Sequence, residues 1–379
     1  MNYFKELKKW NNEYYFAFTF FISAYYSLRT SLLQTYPIIL FLFLSVVFVF
    51  LKIFTTSYER KEYLLIFGLI IFGFFNWYFS KSTTSLIIIL AIVGIKNVSF
   101  RKTLKIRFIT KIIFMISIIL ASFFGFVDNL EMVHLREGES VLRNALGYEH
   151  PNVLGKVLLE EFLLFLVLYK DRFENKDLLL MALINLLQFY FTKSRTSFAV
   201  ICLLIVFVFI IRKTKKMQIL INFGNLTYLS SLILFLISYV FPKWVYGSVG
   251  QLPLIKAIDS LLQYRITYSH IFLYRFQVSL FGQKIVNYWN NKYAFLDSGY
   301  LNLLLANGLV AVILFFVGLF KTIKYLVSKK QIYVLLSIFM IGLYAVTENI
   351  LSTFFYNFTF IYFSAAIYNN VYTQEELYE

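Results

Sequence analysis

Long runs of apolar residues, separated by short polar and basic gaps, dominate the pattern along this chain. A run of about 15 to 22 apolar residues is close to what an α-helix needs to cross the hydrocarbon core of a bilayer. Such runs recur along the whole chain and predict an all-α, polytopic integral membrane protein with about twelve transmembrane helices. The predicted spans cover residues 13–29, 35–53, 62–80, 82–96, 107–127, 152–170, 177–192, 196–212, 222–242, 299–320, 331–347 and 352–370.

Composition supports a membrane protein. The chain is 60% hydrophobic and 21% aromatic with 15% charged residues, far from the average of a soluble domain. Its net charge of +16 comes from Lys and Arg that fall mainly between apolar runs, which is typical of membrane topology and not of nucleic-acid binding. The single cysteine, Cys202, excludes an internal disulfide and a thiolate zinc site, and the three histidines are dispersed, so we expect no metal and no cofactor.

The basic residues also orient the chain. With the N-terminus inside, most Lys and Arg residues lie in or beside cytoplasmic gaps, including Arg107 and Lys111 at the start of the fifth span. This excess predicts that both termini are cytoplasmic. No cleavable signal-peptide pattern precedes the first span, so we expect that span to be retained. Without repeats, heptads or a low-complexity linker, one transmembrane domain over residues 1–379 is the simplest interpretation.

In this orientation the unusual polar segments all lie outside the membrane: residues 128–151, the Lys193-Ser194-Arg195 turn, residues 243–298 and the Glu348-Asn349 turn. One of them, the long external loop at residues 243–298, carries Arg265, Tyr268, Phe272 and Arg275 within about 80° of arc on a helix, so both guanidinium groups should share one face. The rest of this loop is too apolar for a solvated segment. We therefore expect it to contain an amphipathic helix on the outer leaflet.

Four outer arginines are the candidate anion site. Arg143 and Arg195 come from other outer segments and add to Arg265 and Arg275, although each arginine alone could snorkel to lipid phosphates. In the predicted topology, the even-numbered spans from the sixth to the twelfth begin outside, where their unpaired N–H groups suit phosphate. Arg195, Asp297 and His150 each lie at the beginning of one of these spans.

His150 precedes Pro151, whose fixed dihedral suits a first helical residue, so His150 is a predicted helix cap and Asn152 lies in the first turn. A positive helix end would keep the imidazole neutral and able to accept a proton, as a general base must. A plain cap is the alternative. Asp297, before Ser298, is either an ordinary cap or a reserve base.

Two carboxylates fall inside the sixth predicted span. Glu160 and Glu161 follow Lys156, and Lys156 and Glu160 are four residues apart, which allows an ion pair on one helix face. Buried carboxylates in a membrane are costly enough to suggest function. Structural pairing is the favoured interpretation, with a proton relay as the alternative.

Four short motifs occur in order over about residues 140 to 315, around the long external loop. Together they resemble the Wzy-type repeat-unit polymerases of O-antigen, capsule and exopolysaccharide, within the O-antigen ligase/polymerase superfamily. The motifs are Gly147-Tyr148-Glu149-His150-Pro151-Asn152 with Gly155, Ser194-Arg195-Thr196, Arg265 followed by Phe281-Gly282-Gln283, and Asp297-Ser298-Gly299-Tyr300 leading to Asn307-Gly308.

The resemblance implies a GT-C-like fold and a metal-independent glycosyltransferase. Such proteins act on undecaprenyl-diphosphate-linked oligosaccharides at the outer face of the bacterial cytoplasmic membrane, and a growing glycan is joined to a sugar hydroxyl of the next lipid-linked repeat. Besides this substrate and membrane lipids, candidate partners are a flippase and a chain-length regulator, and no nucleic acid is expected.

On this hypothesis, arginines stabilise the charge that grows on the leaving diphosphate. The candidate catalytic residues are His150, which would orient or deprotonate the acceptor hydroxyl, Arg265 and Asp297. The candidate substrate-binding residues are Arg143, Arg195, Arg275, Asn152 and Tyr268.

Two other functions remain open. A lipid-linked oligosaccharide flippase or other transporter also has about twelve spans, but it should show polar residues near the membrane midplane and often paired repeats. The polar cluster predicted from this sequence is mostly external. A glycan ligase of the same superfamily differs only in its acceptor.

Overall fold

The computed structural model describes residues 7–33, 38–136, 139–213, 217–249, 252–289, 292–293 and 295–368. The chain is mostly helical, at 74%, so the predicted helical class is confirmed. The described residues divide into two compact units. The first lies within 7–58 and 93–213, and the second lies within 59–92 and 217–368. The single-domain interpretation stays a prediction.

The first unit is a helical bundle with one β-hairpin. Its central helix, α6, packs on α5, α7 and α8, while α1 packs on α2 and α5. Local signals set the helix ends: Ser99 accepts a hydrogen bond at the start of α5, and Glu174 forms a capping box with Asp177 at the start of α7. Its elements are α1 (Asn11–Arg29), α2 (Ile38–Thr55), α5 (Phe100–Phe123), β1 (Glu131–Arg136), β2 (Glu139–Asn144), α6 (Pro151–Leu168), α7 (Asn175–Thr192) and α8 (Arg195–Lys213).

In the second unit, α9 packs on α13, α14 and α15, and a 3₁₀ helix packs on α14 and α15. Its elements are α3 (Arg60–Ser80), most of α4 (Thr84–Gly94), α9 (Met217–Val240), a π-helical turn (Phe241–Val245), α10 (Tyr246–Val249), α11 (Pro253–Leu261), α12 (Arg265–Arg275), β3 (Tyr288–Trp289), β4 (Lys292–Tyr293), α13 (Gly299–Leu305), α14 (Gly308–Ser328), α15 (Ile332–Tyr344) and the 3₁₀ helix (Phe358–Ala366).

Six helical segments in the described part of the chain are long and apolar enough to cross a membrane, by length and composition. They support a membrane-embedded protein, and each overlaps a predicted span. The six are Ile38–Thr55, Arg60–Ser80, Phe100–Phe123, Arg195–Lys213, Ile221–Val245 and Gly308–Ser328.

Two predicted spans are wrong as single α-helices. The span at 299–320 is broken between α13 and α14, where Gly308 adopts a φ of +91° that an ordinary side chain disfavours. The span at 352–370 contains turns followed by the 3₁₀ helix within the described residues. The fourth span is helical but short, since α4 has 11 residues and extends only about 16 Å.

The segments predicted to lie outside are also more structured than expected. Residues 128–151 contain the antiparallel hairpin of β1 and β2, in which Met132 pairs with Arg143. The sequence analysis missed this hairpin. The long external loop contains α10, α11 and α12, so its predicted helical character is confirmed.

Candidate functional site

Arg143 lies at the centre of a buried hydrogen-bond network in the first unit. Its Nε donates to the carbonyl oxygen of Thr192 over 2.9 Å, and its Nη2 donates to Oδ1 of Asn152 over 2.5 Å. Ser194 Oγ donates to the same Asn152 oxygen over 3.1 Å. The network ties β2 to the start of α6 and to the turn between α7 and α8. Arg143 and Asn152, which the sequence suggested as substrate-binding residues, therefore also hold these elements together through hydrogen bonds.

His150 caps α6, as predicted. Its backbone is extended, and its Nδ1 accepts a hydrogen bond from the backbone N–H of Asn152 over 3.1 Å. Because Nδ1 uses its lone pair in this way, the neutral ring carries its proton on Nε2. A ring in that tautomer donates a hydrogen bond through Nε2. The geometry thus suits orienting a hydroxyl better than deprotonating it.

Arg195 is the first residue of α8, and its side chain is exposed at the positive end of that helix. Close packing fixes this end of α8 against α6. A Cβ at Gly155 would lie 2.3 Å from Ser197 Oγ, so only glycine allows this approach of the two helices. The glycine that follows the His150 motif is explained by packing.

In the second unit, Arg265 is held by two carboxylates. Its Nη2 donates to Glu348 Oε1 over 2.5 Å, and its Nε lies 3.5 Å from Asp297 Oδ2. The Arg265 and Glu348 side chains are only 9% and 3% exposed, whereas that of Asp297 is 39% exposed. Glu348 is thus a buried partner of Arg265, whereas Asp297 is a longer-range partner whose carboxylate contacts solvent.

The guanidinium of Arg265 is charged and has one nitrogen that can still donate a hydrogen bond. Burial lowers its pKa, but the carboxylates of Glu348 and Asp297 outweigh this effect and raise the pKa above its ordinary value. Its Nη1 is buried and has no hydrogen-bond partner among the described residues. A buried donor without a partner is costly, so this nitrogen is suited to an anionic or carbonyl oxygen of a ligand.

A second aspartate positions Arg265. Asp259 is buried at the end of α11, and its Oδ1 accepts hydrogen bonds from the backbone N–H groups of Ile266 and Thr267 over 2.9 and 3.4 Å. Its Oδ2 accepts from the Thr267 hydroxyl over 2.5 Å and from the Tyr246 hydroxyl over 3.2 Å. Asp259 therefore fixes the first turn of α12, where Arg265 begins the helix.

The remaining predicted residues of the long external loop have different environments. Arg275 ends α12 and is exposed, while Arg265 begins it and is buried, so the two do not present equivalent guanidinium groups. Tyr268 is half-buried against an apolar cluster that includes Phe272. The capping interpretation of Asp297 is wrong, because Ser298 is the cap of α13 and its Oγ accepts from the Leu301 N–H.

Two motifs of the family resemblance meet in the second unit. The N–H of Gln283 donates to the Ala306 carbonyl over 3.2 Å. Cβ atoms at Gly282 and Gly308 would lie 2.1 Å from the Ala306 oxygen and 2.3 Å from the Gly282 nitrogen, respectively. The amide of Asn76 on α3 donates to the carbonyl oxygens of residues 281 and 307, over 2.9 Å each. These glycines therefore permit a close crossing of two backbone segments.

Charged residues also form a cluster inside the first unit, here called the buried charge cluster: Arg107 and Lys111 of α5 with Glu160 and Glu161 of α6. Glu160 accepts from Arg107 Nε and Nη2 over 2.9 and 2.6 Å and also from Lys111. Glu160 forms ion pairs, as the structural interpretation expects, and the partners shown are Arg107 and Lys111 of a neighbouring helix. Its pairing with Lys156 stays a prediction. Arg107 and Lys111, assigned from sequence to a cytoplasmic flank, are buried.

Sequence analysis missed Asp259, Glu348, Arg107 and Lys111. For Glu348, the predicted topology gave only the side of the membrane, which is the same predicted side as that of the long external loop. No group of three or more His, Cys, Asp or Glu that could hold a metal occurs in the described residues. Comparison with known proteins finds no matching protein family, curated protein or solved structure.

Proposed function

We propose that this chain is a polysaccharide polymerase, a metal-independent glycosyltransferase that joins undecaprenyl-diphosphate-linked oligosaccharide repeats at the outer face of the bacterial cytoplasmic membrane. The observation that carries the proposal is the buried Arg265, anchored by Glu348 while its Nη1 has no hydrogen-bond partner among the described residues. A fixed, poorly hydrated guanidinium stabilises charge that develops on a leaving diphosphate.

The proposed step is a displacement at the anomeric carbon of the growing glycan. The acceptor hydroxyl oxygen bonds to that carbon, the bond to the diphosphate oxygen breaks, and the diphosphate leaves with the electron pair. Arg265 Nη1 donates to the diphosphate, with Arg275, on the same helix, as an exposed electrostatic partner. Arg143 and Arg195, in the first unit, stay predicted substrate-binding residues. Asp297, whose side chain is 39% exposed, receives the hydroxyl proton. His150, in the first unit, stays a predicted residue for orienting the acceptor, and its geometry suits donation through Nε2.

The proposal includes a finer topology: about twelve spans in a GT-C-like arrangement with both termini cytoplasmic. It also includes a location for the lipid carrier. An apolar cavity of about 210 Å³ in the second unit is lined by residues of α3, α4, α14 and the 3₁₀ helix, with Asn307 and Ser352 among its few polar residues. We assign a part of the prenyl chain to this cavity, because its lining matches a hydrocarbon and Ser352 follows Glu348 by four residues in the sequence.

The test uses a strain that lacks the native protein and makes the surface glycan only when the chain is supplied. Arg265→Ala and His150→Ala should shorten the glycan ladder on a gel at normal protein levels. Arg172→Ala, an exposed arginine outside the proposed site, is the matched control and should give wild-type lengths. Wild-type ladders from both site variants would refute the assignment.

One observation favours a second candidate, the transporter or flippase. The buried charge cluster supplies polar residues inside an apolar bundle, which is the feature expected of a transport pathway. Purified protein in vesicles with lipid-linked repeats separates the candidates, because only a polymerase yields longer glycans and only a flippase moves unextended repeats. A ligase of the same superfamily would transfer finished glycan to a different acceptor, which the product identifies.

A further inference from the structure

Two neighbouring carboxyl groups lie halfway along α6. Glu160 and Glu161 are the tenth and eleventh of its 18 residues. At 1.5 Å per residue they are about 14 Å from the start of a helix about 27 Å long, so they lie near its middle. Their side chains are 1% and 3% exposed. Both carboxyl groups are therefore buried inside the first unit, where an uncompensated charge is costly.

These two neighbours are bonded differently. Glu160 accepts hydrogen bonds from Arg107 and from Lys111. Both oxygens of Glu161 are buried and accept no hydrogen bond from any described residue, and Lys111 Nζ approaches one of them only to 3.7 Å. Glu160 is thus a fully compensated carboxylate. Glu161 has an attractive charge nearby but none of the hydrogen bonds that a buried carboxylate needs.

The surroundings of Glu161 include few other ionisable groups. Among the described residues, Glu161 interacts electrostatically with Lys111 and Arg107 from α5 and with Glu160 from its own helix. Its charge also acts on the hydroxyl of Tyr148, in the segment before α6. With Glu161 ionised, the two cations and two carboxylates of the buried charge cluster balance. With Glu161 protonated, the cluster has one excess positive charge. Protonation of Glu161 thus removes the cost of burying its charge but leaves one cation of the cluster without a matching anion.

We propose that Glu161 is a proton-binding group in the interior of the first unit, with Glu160 as the hydrogen-bonded anchor of the same cluster. Proton uptake forms one O–H bond on the Glu161 carboxylate, breaks none in the protein, and takes the proton from solvent. It removes the longer contact to Lys111 and leaves that ammonium to Glu160. Glycosyl transfer is not required for this inference, which applies to a polymerase and to a transporter.

The experiment is infrared difference spectroscopy of the purified full-length protein in lipid vesicles, titrated with pH. Wild-type protein should show a carbonyl band of a protonated, buried carboxylic acid that grows as the pH falls. The band should be lost in Glu161→Gln. It should persist in Glu174→Gln, the matched control, because the Glu174 side chain is 63% exposed.

Unfolding in denaturing detergent provides the second measurement. Glu161→Gln replaces an unbonded carboxylate by a neutral group of the same size, so it should fold and unfold at a denaturant midpoint at least equal to that of wild type. Glu160→Gln removes the anion that compensates Arg107 and Lys111, so its midpoint should fall or the protein should fail to fold. A band that persists in Glu161→Gln, or a Glu161→Gln protein that is as unstable as Glu160→Gln, would overturn the proposal.

Discussion

Removing the carboxylate of Glu348 should cost far more stability than removing that of Asp297, although both face Arg265. Nη2 of Arg265 lies 2.5 Å from Glu348, which is 3% exposed, and Nε lies 3.5 Å from Asp297, which is 39% exposed. Breaking a buried pair costs about 3–5 kcal/mol because the remaining charge is uncompensated, whereas an exposed pair contributes about 0–1 kcal/mol. With Asp297 still present, we expect about 3 kcal/mol for Glu348→Ala and under about 1 kcal/mol for Asp297→Ala.

The assay is reversible unfolding of the purified protein in mixed detergent micelles, followed by circular dichroism. A double-mutant cycle with Arg265→Ala isolates the pair, and we expect a coupling free energy of about 1 kcal/mol or more with Glu348 and less than half of that with Asp297. The Arg265→Met/Glu348→Leu double variant should recover most of the lost stability, since it leaves no charge buried.

Equal losses for Glu348→Ala and Asp297→Ala would refute the division of Arg265 into a buried and an exposed contact. So would an Arg265→Met/Glu348→Leu protein that is less stable than either single variant. Activity is a separate measurement, because Arg265→Met should shorten the glycan even when stability is restored.

Three further variants test the packing and hydrogen bonds that position the candidate residues. Gly155→Ala should destabilise by about 1–3 kcal/mol in the same unfolding assay, because its Cβ would lie 2.3 Å from a serine oxygen, while Gly68→Ala, with no atom within 4 Å, should not. Asn76→Ala should cost about 2–3 kcal/mol, since two carbonyl oxygens lose their 2.9 Å donors, and a loss below about 0.5 kcal/mol would contradict this. Arg143→Lys should cost about 1–2 kcal/mol because an ammonium lacks the fork that reaches both acceptors, whereas the exposed Arg195→Lys should be neutral in stability.

Helix starts and long apolar helices could be predicted from the sequence, because they depend on neighbouring residues in the chain. Pro151 fixes the start of α6, so His150 could be identified as its cap, and apolar length alone located α2 and α8. The broken span at 299–320 carries a local signal too, the Asn307-Gly308 pair, but its apolar residues continue across the break. Hydrophobicity reports burial in lipid or protein and does not by itself report whether the helix is continuous.

Pairings between elements could not be predicted, because they depend on tertiary contacts. Glu348 lies 83 residues from Arg265, and Arg107 lies 53 residues from Glu160. A spacing rule on one helix suggested Lys156 for Glu160, since positions four apart are neighbours on a helix surface. On a buried helix, however, the face toward a neighbouring helix can supply the partner, and α5 supplies two cations there.

The four candidate arginines are of two kinds, buried and exposed, and the two kinds should affect anion binding differently. Arg143 and Arg265 are buried and oriented by hydrogen bonds, so on the proposed function they would fix the direction of a contact, whereas Arg195 and Arg275 are exposed and would contribute long-range attraction. Screening distinguishes them, because salt strongly weakens the attraction between exposed charges that are farther apart than a Debye length, about 8 Å at physiological ionic strength, and weakens buried interactions much less. Loss of the exposed arginines should therefore raise the substrate concentration that is needed, and more so as salt is lowered. Loss of Arg265 should lower the maximal rate at every salt concentration.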